Sequence, residues 1–589
     1  RTNRNVWNGF SDSVPTDYFY PVATMPAVQN HGVAEIMRGC PNGCRFCHAG
    51  HFYRPFRERN PEIVISMVDE LVRKGGYREI TLASLSSGDY SAISALAEHI
   101  TEEYSGEGIS LSLPSLRVDG FTLPLLEKLS TVRKGSLTFA VETPDDFWQR
   151  CLNKEVTRDR VIEILRTAKQ LGWRNAKFYF MQGLPLSIEE TANETERIME
   201  FLRVIQQRTG MNISVNIGTF VPKPHTPFQW SPMLDPEEAQ KRIWQMRDNL
   251  PRQRFKVGYH HPFSSFLEGM ISRGDERVGD IVERAYRKGA RLDAWEDYLR
   301  IDIWKETIAE TEWNVTEETL RERGKEEVLP WDNIDTGTKK GYFRREYEKG
   351  RAGETTSPCS EDCRHQCGSC DDDFGTVRKA GGTAPISDKE IKRRETKNEP
   401  GENDLANRIL FSFVKSGKGK YIPHIALMTL MERALQRAGF RVKYSEGFNP
   451  KPKLEFASPL SVGIETREDI ASIYLHDYRG EQDFITRMNA ALPEESVHVT
   501  KAMPVSEEIK IKRSLMANYW GSLYRIREIP VPGSVSGFEG NKGLLSELLI
   551  RGEAGYISEN TGEDGCIDFI LKNTGRKESN LLSILKSVW

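Results

Sequence analysis

Cysteine is scarce in this chain, at nine residues in 589. A secreted protein held by disulfides would usually spread an even number along its length, and seven of these nine fall in two tight groups, so that class is set aside. Long apolar runs are missing too. None approaches the roughly 18–20 residues a spanning helix needs, so no membrane partner is expected. The first residues, RTNRNVWNGF, are polar with no leader-like apolar stretch. A cytoplasmic, reducing setting is the expectation, and Arg rather than Met at position 1 leaves room for residues upstream. Neither sign of charge dominates. The 82 Lys and Arg face 85 Asp and Glu, and a net of −3 makes no global case for nucleic acid or membrane surfaces. The length is enough for about two to four domains with a large core.

What is present is alternation. Short apolar runs recur at VAEIM (33–37), EITLA (79–83), ISLSL (109–113), SLTFAV (136–141), AKFYFM (176–181) and ISVNIGTFV (213–221). Helical segments lie between them. Asn60-Pro61 opens one, with Val64, Val68, Leu71 and Val72 on its apolar side and Gly75-Gly76 as its stop. Thr143-Pro144 opens another, and Ser187–Glu190 and Asp235–Glu238 read as capping boxes. Six strand–helix repeats predict an α/β fold, a partial (β/α)6 barrel whose site lies at the C-terminal ends of the strands. The expected domains are an N-terminal extension (1–30), the core (31–260), a charged helical extension (261–357), a four-cysteine site (358–371), a linker (372–407) and a C-terminal α+β domain (408–589).

RGCPNGCRFCHAG (38–50) carries Cys40, Cys44 and Cys47 and no fourth cysteine nearby. Structural zinc sites close with four protein ligands, and cubane iron–sulfur clusters are normally held by four thiolates. Three thiolates on one loop, at the end of the first predicted strand, therefore leave one iron of a cubane open to a substrate or cofactor. The plainer alternative is a zinc site completed by His48 or His51.

The C-x3-C-x2-C spacing, with Phe46 just before the third cysteine, resembles the radical S-adenosylmethionine (SAM) superfamily. The resemblance implies a [4Fe–4S] cluster on Cys40, Cys44 and Cys47 whose open iron binds SAM, and reductive cleavage of SAM to a 5′-deoxyadenosyl radical. It further implies a low-potential electron donor, a flavodoxin or ferredoxin. Phe46 is then cofactor-binding. LSSGD (85–89), with Ser87, Gly88 and Asp89, resembles the segment that receives the SAM amino group. Ser115 and Arg117 follow the third strand. Glu142 ends the fourth, where a polar residue meets ribose or carboxylate; taken alone it would be a strand-end ion-pair residue. FMQGLP (180–185), with Gln182 and Gly183, resembles the glycine segment beside adenine, and Val221 ends the sixth strand, where backbone meets adenine. Lys223 and His225 in the next loop face the substrate side, or are held there by packing in a proline-rich loop.

Longer stretches narrow the likeness: VAEIMRGCPNGCRFCHAGHFYRPFRER (33–59), CLNK (151–154), FVPKPHTPFQW (220–230), FLEGMISRGDERVGDIV (266–282) and LDAW (292–295). Together with residues 411–460 they resemble bacterial cobalamin-binding radical SAM proteins fused to a C-terminal domain of unknown function. The likeness spans about residues 30–589. It departs at the front, where 39 residues precede Cys40 and no D-x-H-x-x-G motif occurs, so cobalamin is not expected on this chain alone.

Cys359, Cys363, Cys367 and Cys370 form a second group, C-x3-C-x3-C-x2-C. Four thiolates make a closed centre, either structural zinc or an auxiliary [4Fe–4S] cluster, with His365 able to replace one ligand. Cys151 and Cys566 read as inert core cysteines. Residues 408–460 hold ten Lys or Arg against three acids, with Phe411, Phe413, Tyr421, Phe440, Tyr444 and Phe448 among them. That composition suits RNA phosphates and stacked bases, or a solvated basic face, and the alternation at 411 and 413 suits a strand's core side. The expected function is radical modification of a substrate, with RNA or a ribosomal protein as candidates and methylation or methylthiolation as outcomes. The alternatives are an RNA-binding protein with a structural cluster, and a small-molecule radical enzyme whose C-terminal domain closes the barrel.

Overall fold

The computed structural model describes residues 2–3, 8–13, 20–23, 30–104, 107–113, 137–185, 193–370, 377–379, 406–445, 450–505 and 515, and the backbone of 521–526, 560–561 and 567–572. All six predicted runs are strands. β1 (Gly32–Glu35), β2 (Glu79–Ala83) and β3 (Ser110–Ser112) pair in parallel in that order. β4 (Leu137–Glu142), β5 (Asn175–Gln182), β6 (Asn212–Thr219) and β7 (Phe255–Tyr259) form a second parallel sheet, also in chain order. β7 adds a strand to the six expected. RFKVGYH is too short and too charged at its flanks to announce itself, and its place is fixed by pairing Phe255 with Ile213 through Tyr259 with Ile217. The class is α/β, with an open, partial barrel and no closed one among the described residues.

The helices of the core and extension are α1 (His48–Phe52), α2 (Pro61–Arg73), α3 (Ile93–Glu103), α4 (Asp146–Leu152), α5 (Arg158–Gln170), α6 (Glu194–Thr209), α7 (Pro236–Asn249), α8 (Pro262–Arg273), α9 (Arg277–Arg287), α10 (Ile301–Ala309), α11 (Val315–Leu320) and α12 (Lys340–Ala352). Local chemistry sets their starts. Asn60 accepts the Glu62 N–H at 2.9 Å ahead of Pro61, and Asp235 accepts those of Glu237 and Glu238 ahead of Pro236. α4 is capped by Asp145, two residues beyond the expected Thr143. The Ser187–Glu190 box lies outside the described residues.

Strand alternation divides the second sheet into two faces. Phe139, Phe178, Phe180, Val215 and Ile217 are buried against Leu165 of α5, Phe201 of α6 and Ile243 and Met246 of α7. Each such side chain stabilises the fold by about 1.5–3 kcal/mol. The opposite face is half-exposed and polar. Cross-strand register lines up Thr138, Lys177, Ser214 and Lys256 in one row, and Ala140, Tyr179, Asn216 and Gly258 in the next.

The C-terminal domain is α+β as expected. β8 (Asn407–Lys415), β9 (Leu454–Phe456), β10 (Thr466–Leu475) and β11 (Val497–Pro504) form an antiparallel sheet in the order β9–β10–β8–β11, covered by α13 (His424–Arg437) and α14 (Glu481–Ala491). Phe411 and Phe413 lie in its core, so the core-side reading of that alternation holds, and Phe440 lies there too. A further strand, Ile567–Lys572, pairs antiparallel with Gly521–Ile526. Most of the linker, Phe448 and Cys566 lie outside the described residues.

This domain docks through α13 against α2. The buried Arg433 donates from Nε to the Gly75 carbonyl and from Nη1 to the Pro21 carbonyl, both at 2.9 Å, and stacks 3.8 Å from the Tyr77 ring. Gly76, read from sequence as a helix stop, has φ +69°, and a Cβ there would lie 2.4 Å from the Arg433 carbonyl oxygen. Tyr444 donates to the Glu107 carbonyl at 2.7 Å and lies under Arg78. Residues 75–78 and 107–108 precede β2 and β3, so the contact is made at the N-terminal ends of the strands.

Candidate metal and cofactor site

The first cysteine loop leaves β1 at the other, C-terminal end. Gly39, with φ +85°, lets it turn where an added Cβ would lie 2.4 Å from the Tyr53 carbonyl oxygen. The thiols of Cys40, Cys44 and Cys47 are all partly exposed. The Asn42 amide donates to Cys40 Sγ at 3.6 Å, and the Gly50 N–H donates to Cys47 Sγ at 3.4 Å, where Cys47 caps α1. Such donors stabilise thiolates once a metal binds. Without one, burial pushes the Cys40 thiol up to about 11 and raises that of Cys47. Among the described residues no three Cys, His, Asp or Glu side chains are already gathered round a single ion-sized point. The donor set of three cysteines on one loop is chemically what a cubane with one open iron would take.

Arg45 anchors this loop. Fully buried, it reaches the Glu346 carboxylate on α12 at 3.1 Å, the carbonyls of Arg150 and Cys151 at 2.9 and 3.1 Å, and Thr356 Oγ1 at 3.3 Å. Phe46 packs against the aromatic cluster containing Trp230, Tyr342 and Cys367.

The strand ends bring the expected residues to this loop unevenly. Asp89 is joined to it directly, accepting from Asn42 Nδ2 and Ser86 Oγ, each at 2.6 Å. Ser87 is buried and donates to the Leu82 carbonyl, and Gly88 is half-exposed. Glu142 ends β4 in a left-handed conformation, φ +67°, and accepts from Lys154 Nζ at 2.8 Å. Lys154 also lies 5.8 Å from the Phe46 ring and favours thiolate at Cys47. Gln182 is on the helix-facing side, with its amide on the Ala239 carbonyl. Gly183 (φ +73°) donates its N–H to Glu194 at 2.8 Å, and Val221 is buried. Ser115 and Arg117 lie outside the described residues. Lys223 pairs with Glu268, and burial, with His48 beside it, pushes His225 down to about 4. His48 stacks on Phe52, while the buried His51 packs edge-on against Tyr342 and Phe343.

Sequence reasoning missed Arg45, Lys154 and Glu194. Arg45 lies inside the cysteine motif, Lys154 ends CLNK and Glu194 opens α6, but their partners are distant in sequence.

The second cysteine group abuts the first. The Cys359 N–H donates to the Pro41 carbonyl at 2.7 Å, inside the first loop. Cys359 Sγ and Cys363 Sγ are 4.0 Å apart, and the four thiols act on one another electrostatically. The Lys339 N–H holds the Cys367 carbonyl at 2.8 Å. Burial pushes the Cys359 thiol up to about 12, and Cys151 is buried as expected of a core residue.

Comparison with known proteins follows these lines. Residues 34–202 match the model of the radical SAM superfamily, and residues 408–547 match that of DUF2344, an uncharacterized protein conserved in bacteria. Over 304 residues the chain is 28% identical to uncharacterized protein MJ0966 of Methanocaldococcus jannaschii, covering 49% of this chain and 65% of that one. It is 26% identical over 217 residues to the tRNA-2-methylthio-N(6)-dimethylallyladenosine synthase of Bacteroides fragilis, 33% of this chain and 46% of that enzyme. The chain thus spans less than two thirds of the length of either relative. Among solved structures, the radical SAM methyltransferase TsrM of Kitasatospora setae is similar at 12% identity and a TM-score of 0.29, over 34% of this chain and 38% of that one. Residues 34–202 are a radical SAM domain, joined in the same chain to a DUF2344 domain at 408–547.

Proposed function

We propose that this chain is a radical SAM enzyme that modifies RNA. One observation carries the first part. Three thiols sit on a single loop at the C-terminal end of β1, with Asp89 and the Glu142–Lys154 pair turned to that loop from the ends of β2 and β4. Cys40, Cys44 and Cys47 would hold a [4Fe–4S] cluster, which when bound by SAM and reduced supplies a 5′-deoxyadenosyl radical that takes hydrogen from the substrate.

The residues around the loop bind and orient. Asp89, tied to the loop through Asn42, is an acceptor for the SAM amino group. Lys154 is a cation for its carboxylate, with Glu142 next to it for ribose. Phe46 and the aromatic cluster behind it keep water from the loop's inner side. The electron comes from a low-potential flavodoxin or ferredoxin in the cytoplasm. Cobalamin is not assigned to this chain.

For the substrate, the polar rows across β4–β7 favour a hydrogen-bonding molecule over an apolar one, and likeness to a tRNA methylthiolating enzyme favours RNA over a ribosomal protein. Methyl or methylthio transfer is the expected outcome. The competing role of the C-terminal domain, as a cover for the barrel, fits poorly with docking at the far end of the strands. The second cysteine group is read as a closed four-thiolate centre of zinc or iron–sulfur.

The test is anaerobic: reconstitute with iron and sulfide, add dithionite and SAM, and assay 5′-deoxyadenosine, with and without cellular RNA. The expected result is product that disappears in C40A/C44A/C47A and rises with RNA. No product from an iron-loaded wild-type chain would overturn the reading.

A further inference from the structure

Arg273 closes α8 and is 0% exposed. Its Nη2 donates to the Arg321 carbonyl at 3.0 Å, while Nε and Nη1 are buried and find no acceptor among the described residues. Arg323, also buried, donates from Nη2 to the Arg273 carbonyl at 2.9 Å, and its own Nε has no acceptor there either. The Arg323 backbone N–H donates to the Trp230 carbonyl at 2.8 Å, and the buried Trp230 Nε1 is a further donor without an acceptor among the described residues. Three stretches thus meet in one corner: the end of α8, residues 321–323 after α11, and the loop that follows β6. They are closely packed, for a Cβ at Gly269 would lie 2.7 Å from Met233 Sδ and 3.4 Å from Thr319 Cγ2.

The carboxylates of this corner are already engaged. Glu318 and Glu327 bind Arg321 at 2.8 and 2.6 Å, and they reach Arg323 at 3.3 and 3.9 Å. Asp275 is taken by Arg277 at 2.8 Å. Among the described residues none of the three pairs with Arg273. Three guanidinium groups therefore meet two carboxylates, and the charge left unanswered is the most deeply buried one. Burial, with Arg323 and Arg321 beside it, pushes Arg273 down to about 9. A guanidinium still stays protonated at neutral pH, and holding it out of water is costly unless negative charge lies beside it. A water molecule would accept hydrogen bonds here but would bring no charge.

We propose that Arg273 holds one small anion, of the size of a halide, in the corner between the end of α8, residues 321–323 and Trp230. Enclosure sets the size, since a fully buried guanidinium in close-packed surroundings has no place for a large group. One negative charge answers the one cation left over. The role is structural: the anion binds the end of α8 to the stretch that carries Arg323, and through the Arg323–Trp230 bond it steadies the loop after β6. The proposal is independent of the cysteine groups and of SAM chemistry.

The test uses the full chain at fixed pH and ionic strength, with gluconate exchanged stepwise for chloride or bromide and the thermal midpoint as readout. The wild-type midpoint should rise by about 2–4 °C and climb with halide concentration, as a site present only in the folded state requires. R273M should lose that dependence while its circular dichroism is unchanged, and R273K should keep part of it. R277M, at the exposed neighbour paired with Asp275, should keep all of it. Anomalous scattering from a crystal grown in bromide should place a peak beside Arg273 Nε or Nη1. The wild-type titration and the crystal need no variant, so they decide the matter even if R273M does not fold. Four results overturn the proposal. One is a midpoint that follows ionic strength alone, and another is a folded R273M chain that keeps the full halide dependence. The third is a crystal with water, or the Glu318 or Glu327 carboxylate, on Arg273. The fourth is a bromide peak with no effect on stability, which is an adventitious ion only.

Discussion

Arg45 and Glu346, 301 residues apart in sequence, form a buried ion pair that joins the first cysteine loop to the last helix of the extension. Breaking one half leaves the other charged and buried, which typically costs about 3–5 kcal/mol. Glu346→Ala should therefore lower the thermal midpoint clearly and reduce iron bound per chain after reconstitution. The paired change Arg45→Met with Glu346→Leu should recover more stability than iron, because it restores packing without the hydrogen bonds to Arg150, Cys151 and Thr356.

Lys154 is placed to meet an anionic group of a bound cofactor. A charge-assisted hydrogen bond is worth roughly 1.5–3 kcal/mol, or about 10–100-fold in affinity. Lys154→Met should weaken SAM binding to the iron-loaded chain by that order while leaving iron content unchanged, as read by equilibrium dialysis and metal analysis. Unchanged SAM affinity would remove Lys154 from the site.

Arg433 is one of the ties between the two domains. Arg433→Ala removes two charged hydrogen bonds and a stacking contact, and should cost about 2–4 kcal/mol at the interface. Faster amide exchange over residues 70–78 and 107–110, with exchange in β5 and β6 unchanged, is the expected signature. Gly76→Ala should do the same through strain and steric overlap.

Asp469 gives a pH dependence. Its carboxyl is buried beside Lys415 and bonded by the Ile470 N–H at 2.8 Å, and burial pushes it up to about 6 from the ordinary 3.8. Between about pH 4 and 6 the folded chain keeps a proton that the unfolded chain has lost, so stability falls as pH rises through that window and is level above it. The change is about 3 kcal/mol. Asp469→Asn should flatten the profile, as measured by thermal midpoints from pH 4 to 8.

Much of the architecture was legible because it is written in local patterns. The six apolar runs and the Asn60-Pro61 and Asp235-Pro236 starts all stand where the sequence puts them. β7 was illegible because a parallel edge strand of five residues needs only one apolar face, and RFKVGYH shows little of it. Cysteine spacing marks the loop proposed to bind the cluster, since ligands on one loop are neighbours in sequence. Arg45 and Lys154 could not be read in that way. Their partners are brought near by the fold: Glu346 for Arg45 and Glu142 for Lys154. The basic segment of the C-terminal domain misled in part. Phe411, Phe413 and Phe440 fill a core, and Arg433 and Tyr444 are spent on the docking surface.

That docking surface sets a distance scale. The described C-terminal sheet is moored at one pole of the parallel strands and the cysteine loop opens at the other, with strands of three to eight residues between, a span of roughly 10–26 Å. Anything gripped by the outer side of that sheet is held away from the cysteine loop by the height of the strands, so a compact molecule could occupy one pole or the other. A polymer laid along the flank could be anchored at the first while presenting a single unit to the second.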